Sequence, residues 1–165
     1  MKTLEQKLAL ITAKKATNFT LNNVLTYDFS SVIAEFFREN FDMYVTVEVV
    51  GNHQGHMCIL SEHTFEFLKD FIVTVLGRHT VKIKLYTVAE NYVMQLSCDA
   101  IRDMDMEERT RFIRLAHKAN FKLHITEDAF QLYTRYQKAD HLRVHAVNVQ
   151  KIELCKQMNK LFFDK

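Results

Sequence analysis

Ser61-Glu-His-Thr-Phe-Glu-Phe-Leu-Lys-Asp-Phe-Ile-Val-Thr-Val-Leu-Gly77 is followed two residues later by Thr80-Val-Lys-Ile-Lys-Leu-Tyr86 and then by Tyr92-Val-Met-Gln-Leu-Ser-Cys98. In the first run Phe65, Leu68, Phe71, Ile72, Val75 and Leu76 recur at helical spacing. Ser61 stands as N-cap, Glu62 lies in the first turn and Gly77 supplies the stop. In the next two runs the period drops to two, which predicts an antiparallel hairpin around Ala89-Glu90-Asn91 with one polar face. A helix with a wide apolar stripe and a hairpin apolar on one side bury each other. The pair therefore predicts an α+β two-layer sandwich, with a mixed or antiparallel sheet and helices on one face.

The flanking sequence extends this plan in both directions. Lys2 to Lys15, with Leu4, Leu8, Leu10 and Ile11, reads as an amphipathic helix, and the polar Asn18 to Asn23 stretch breaks it. Asp28 offers an N-cap for a second helix carrying Val32, Ile33, Phe36 and Phe37 and ending near Asn40. Tyr44 to Val50 is β-branched and partly alternating. With the turn Gly51-Asn-His-Gln-Gly55 and the short run Met57 to Leu60, it predicts a strand pair. Downstream, Asp103 or Asp105 begins a helix with Phe112, Ile113, Ala116 and Ala119 inward. Phe121 to Thr126 and Phe130 to Tyr136 form a second hairpin, His141 to Val147 adds a strand, and Asn148 caps a C-terminal helix bearing Phe162. The expected organisation is one domain, with residues 1–23 as helix and connection, 24–140 as core and 141–165 as terminal strand and helix.

Composition narrows the function classes. The chain of 165 residues has no proline and three glycines, against roughly eight and a dozen at average usage. Loops that cradle phosphates need glycine, because the backbone must approach the ligand with no Cβ in the way. A net charge of +2 gives no footing for nucleic acid. The charge is unevenly spread, with a balance of −4 over Asp99 to Glu108 and +4 over Arg135 to Lys165. No apolar run reaches the ~20 residues of a membrane span, and the N-terminal residues are too charged for a signal peptide, so a cytoplasmic location is expected. Cys58, Cys98 and Cys155 are widely spaced, and reduced thiols are expected of them.

The order of elements from Tyr27 to Tyr136 resembles the ATP-binding domain of histidine kinases and their relatives, the GHKL family. Asp28-Phe-Ser-Ser-Val-Ile resembles the family's first helix, Tyr44 to Leu60 its strand pair and Ser61 to Thr80 its long helix. Leu96-Ser-Cys-Asp-Ala-Ile-Arg-Asp-Met-Asp-Met-Glu-Glu108 resembles its strand running into a glycine loop. The resemblance implies a nucleotide site in which Asp99 takes the place of the aspartate that accepts a hydrogen bond from adenine. The two glycines that follow in the family fall at Ile101 and Asp103. The magnesium-holding asparagine falls at Val75 or neighbouring Thr74, and neither the second glycine-rich segment nor the lid has a counterpart.

The remaining constellations are weaker. His53, His56 and Cys58 offer zinc-compatible atoms at a spacing that matches no strong zinc pattern, and a polar turn explains them as well. His63 and His117 lie on predicted helices, but neither is followed by the acidic residue of the His-Glu or His-Asp pattern that phosphoacceptor segments commonly show. The preferred reading is a non-catalytic regulatory or interaction module on a degenerate histidine-kinase-like fold in bacterial signalling, with a protein partner, no cofactor and a homodimer through the first helix as one option. Two alternatives stand beside it. One is a divergent ATP-binding protein holding nucleotide at Asp99 and Asp103, with ATP and Mg²⁺ as cofactors; the other is an unrelated α+β structural protein.

Overall fold

The computed structural model describes residues 29–51, 62–75 and 80–135, the backbone strands 24–27, 56–60 and 137–138, and residues 3, 4, 6, 156, 159, 160, 162 and 163. The described helices are α1 (Phe29–Phe41), α2 (Glu62–Val75) and α3 (Met106–Lys118). The strands are β1 (Val24–Tyr27), β2 (Val45–Val49), β3 (His56–Leu60), β4 (Val81–Val88), β5 (Asn91–Ser97), β6 (Lys122–Ile125), β7 (Ala129–Arg135) and β8 (Gln137–Lys138). Five of them form a mixed sheet in the order β2-β4-β5-β7-β6, and the other three form a small sheet in the order β1-β3-β8.

Alternation sets the layers. Val45 and Val47 on β2, Val81, Ile83 and Leu85 on β4, Tyr92, Met94 and Leu96 on β5 and Phe130 and Leu132 on β7 are all buried, and the strand registers place them on one face. That face and the apolar sides of the three helices make one core, so the α+β two-layer reading holds. Tyr92 enters this core with its hydroxyl hydrogen-bonded to that of Ser30 on α1, which satisfies the phenol's polar tip.

The predicted hairpins at β4–β5 and β6–β7 are present. The β4–β5 turn is only Ala89-Glu90, and Ala89 takes a left-handed φ of 53°. The strand pair expected between Tyr44–Val50 and Met57–Leu60 does not form. β2 instead runs parallel to β4, and β3 pairs antiparallel with β1. A parallel neighbour requires a long crossover, which α2 supplies between β2 and β4. At the end of β2 the Val50 amide donates to the Leu85 carbonyl, and Gly51 at φ +87° then turns the chain out of the sheet.

Of the two residues expected to begin α3, Asp105 caps it, its carboxylate accepting from the Glu108 amide at 2.8 Å. Ile113, expected inward, is 49% exposed, because the core-facing side of α3 is the narrow stripe of Phe112 and Ala116. Of the first helix only Thr3, Leu4 and Gln6 are described. Thr3 and Gln6 exchange side-chain bonds with each other's amides as in a capping box, and Leu4 packs against the core. The strand expected at His141–Val147 and the Asn148 cap lie outside the described residues. Phe162 of the C-terminal helix is buried, 4.7 Å from Phe36.

Phe67 and Phe71 on α2, Phe112 on α3 and Phe130 on β7 are fully buried, with centroid separations of 5.3–6.3 Å, mostly edge-on or tilted. Such rings combine large buried area with favourable quadrupole geometry. Phe112→Ala is expected to destabilise the protein by about 3–5 kcal/mol in urea denaturation, a cavity effect at the joint of two helices and the sheet.

Candidate functional site

The stretch that would hold nucleotide begins where β5 leaves the sheet. Cys98 is buried, and its amide donates to the Asp128 carbonyl at 2.9 Å. Asp99–Asp103 then forms a 3₁₀ turn closed by Ile101 N–H to Cys98 O at 3.1 Å and Met104 N–H to Ile101 O at 3.2 Å. Asp99 and Asp103 are both exposed, while Ile101 between them is 0% exposed and belongs to the core. The turn thus drives an apolar anchor inward and leaves its carboxylates in water.

Arg109 on α3 fastens the turn from the other side. Its Nε donates to the Met104 carbonyl and its Nη2 to the Ile101 carbonyl, both at 3.1 Å. A guanidinium presents several donors in a fixed fork, so one side chain satisfies the Met104 carbonyl and adds a second donor to the Ile101 carbonyl, which already accepts from the Met104 amide. Arg102 is turned outward, 3.6 Å from Asp128 and 3.9 Å from Glu127 in the β6–β7 turn. These exposed pairs contribute little energy but hold the turn beside its neighbour.

The last turn of α2 lies against α3. Val75 is fully buried and has no oxygen to offer a hard cation. Thr74 donates to the Asp70 carbonyl at 2.8 Å and accepts from Arg111 Nη2 at 3.2 Å. Arg111 Nε also lies 3.0 Å from Asp70 Oδ2, although its N–H is not aimed along a hydrogen bond, so this contact is mainly charge attraction. The guanidinium rests 5.0 Å from the Phe112 ring centroid. Arg111 and Asp70 thus form an ion pair beside Thr74.

Burial pushes the Cys98 thiol above its ordinary value; a backbone hydrogen bond at Ala100 works against the shift and the charge of Asp99 adds to it. His53 lies outside the described residues, and His56 and Cys58 are placed only as backbone in β3, opposite Lys138 and Thr26. Among the described residues no group of three His, Cys, Asp or Glu side chains is arranged to hold a metal ion. His63 pairs with Glu66 at 3.1 Å on α2. His117 borders an open cleft of about 910 Å³ that Asn120, Lys122, His124, Tyr133 and Arg135 also line. That cleft lies at the opposite end of β5 from Asp99.

Sequence reasoning located the turn but missed Arg109 and Arg111, since an arginine on a helix's polar side reads as solvated until its partners are known. Arg109→Met is expected to lower stability by about 1–3 kcal/mol, because it strands the Met104 carbonyl and removes a second donor from the Ile101 carbonyl, and Arg109→Lys to restore only part of that. For Cys98 the folded value is raised, so its contribution is complete below the ordinary thiol value of 9.0 and is lost as pH rises through the folded one. The urea midpoint is expected to fall as pH rises past 9.0, and to fall less in Cys98→Ala.

No family model matches the chain, and no curated protein matches it. Among solved structures it is similar to the histidine kinase domain of the E. coli osmosensor EnvZ, with a TM-score of 0.47 and 9% identity over 76% of this chain and 93% of that one. It is also similar to the Acinetobacter baumannii histidine kinase AdeS, with a TM-score of 0.45 and 13% identity over 79% and 74%. The cytoplasmic segment of histidine kinase QseC matches with a TM-score of 0.40 and 9% identity over 82% and 91%. The likeness is one of fold. No helix among the described residues is long and apolar enough to cross a membrane.

Proposed function

We propose that this chain is a regulatory or interaction module on a histidine-kinase-like ATPase fold, that it neither binds ATP tightly nor hydrolyses it, and that its partner is a protein in bacterial signalling. The observation that carries the reading is the closed turn after Asp99. Ile101 is buried at the first position where a phosphate or base would require glycine, and Arg109 consumes the carbonyls of Ile101 and Met104. The Arg111–Asp70–Thr74 contact supports the reading from the α2 side, since Val75 has no oxygen to offer a cation and the Asp70 and Thr74 oxygens are already engaged by Arg111. The signalling setting comes from the resemblance in layout alone.

Thermal unfolding with ATP and Mg²⁺ tests this. A ligand at one hundred times its dissociation constant stabilises a protein by about 2.7 kcal/mol, a shift of several degrees. No shift is expected here in the parent protein, and none is expected to appear or disappear in Asp99→Asn. Saturable stabilisation by ATP that Asp99→Asn abolishes would establish the divergent ATP-binding reading instead.

A further inference from the structure

The outward side of α3 carries a feature that neither the turn nor the core uses. Met106 is 76% exposed and Ile113 is 49% exposed. They stand seven residues apart and, with exposed Thr110 and His117 between and beyond them, form a single stripe at the i, i+4, i+7, i+11 positions. The helix is also electrically polarised. Asp103, Asp105 and Glu107 crowd its N-terminal end, and Arg114, His117 and Lys118 its C-terminal end.

We propose that α3 packs antiparallel against α3 of a second copy, in a two-fold dimer whose axis passes beside Thr110. Antiparallel pairing brings the acidic end of each helix to the basic end of the other, and the same operation brings Met106 of one copy against Ile113 of its partner. Glu107 and Arg114 are also seven residues apart, on one flank of the stripe. Two copies therefore form the Glu107–Arg114 pairing twice, as a self-complementary two-fold contact requires. A parallel arrangement would set like charges together at both ends, which selects the orientation. One face of a 13-residue helix buries less than the ~1,600 Å² of a standard interface, so the dimer is reversible and concentration-dependent. This inference does not depend on how the turn after Asp99 treats nucleotide; dimerisation and ATP binding are read separately.

Sedimentation velocity over a concentration series up to ~1 mM gives the first test, and a monomer–dimer equilibrium is expected. Ile113→Asp is expected to weaken association at least about tenfold while leaving the unfolding temperature unchanged, since the side chain faces water in the monomer. Arg114→Glu should weaken it, and the double reversal Glu107→Lys with Arg114→Glu should restore it. Thr110→Cys, placed at the axis, should give a disulfide-linked dimer on mild oxidation. A chain that stays monomeric throughout, or a dimer that withstands Ile113→Asp, overturns the proposal. Failure of the double reversal to restore association overturns the antiparallel register.

Discussion

Everything at the candidate site depends on the contact among Phe67, Phe71, Phe112 and Phe130. These rings clamp α2 and α3 to each other and to β7, with centroids no more than 6.3 Å apart. Once α3 is held there, the chain has only Cys98 to Asp105 in which to travel from the end of β5 to the helix cap. So short a path favours a tight turn over an open loop, and the 3₁₀ geometry supplies it. Ile101 then points into the same core the phenylalanines fill. The apolar packing that stabilises the fold thus also fixes the turn.

Arginines complete what the aromatic contact begins. Arg109 supplies donors to the turn's carbonyls, and Arg111 bridges α3 to α2 through Asp70 and Thr74. Arg38 on α1 does a comparable job at the far edge of the large sheet, donating to the Val47 carbonyl of β2 at 3.2 Å. That bond blunts one exposed strand edge, a site where other chains could otherwise pair. In each case one guanidinium donates to backbone or side-chain oxygens of a neighbouring element.

The legible parts of the fold were those with a strong local period. The α2 stripe from Phe65 to Val75 and the β4–β5 alternation could be read directly, because burial on one face leaves its mark every third or fourth residue, or every second. The partner of β2 could not. Parallel pairing is decided by a crossover through a distant helix, and nothing within Val45 to Val49 distinguishes a β4 neighbour from a β3 neighbour. β1 was missed because four residues beside a polar stretch carry too little pattern. At the site, Asp99, Ile101 and Asp103 were readable as positions. The burial of Ile101 and the grip of Arg109 were not, since both depend on where α3 comes to rest.

Amide hydrogen exchange in the turn, followed residue by residue, tests the central claim most directly. If the turn is closed by its own side chains, the Ile101 and Met104 amides, which donate to Cys98 and Ile101, are protected in the free protein. Their exchange rates then stay the same when ATP and Mg²⁺ are added in excess. Fast exchange in the free protein that slows on adding nucleotide would contradict the account, for it would mean the turn is open until a ligand orders it.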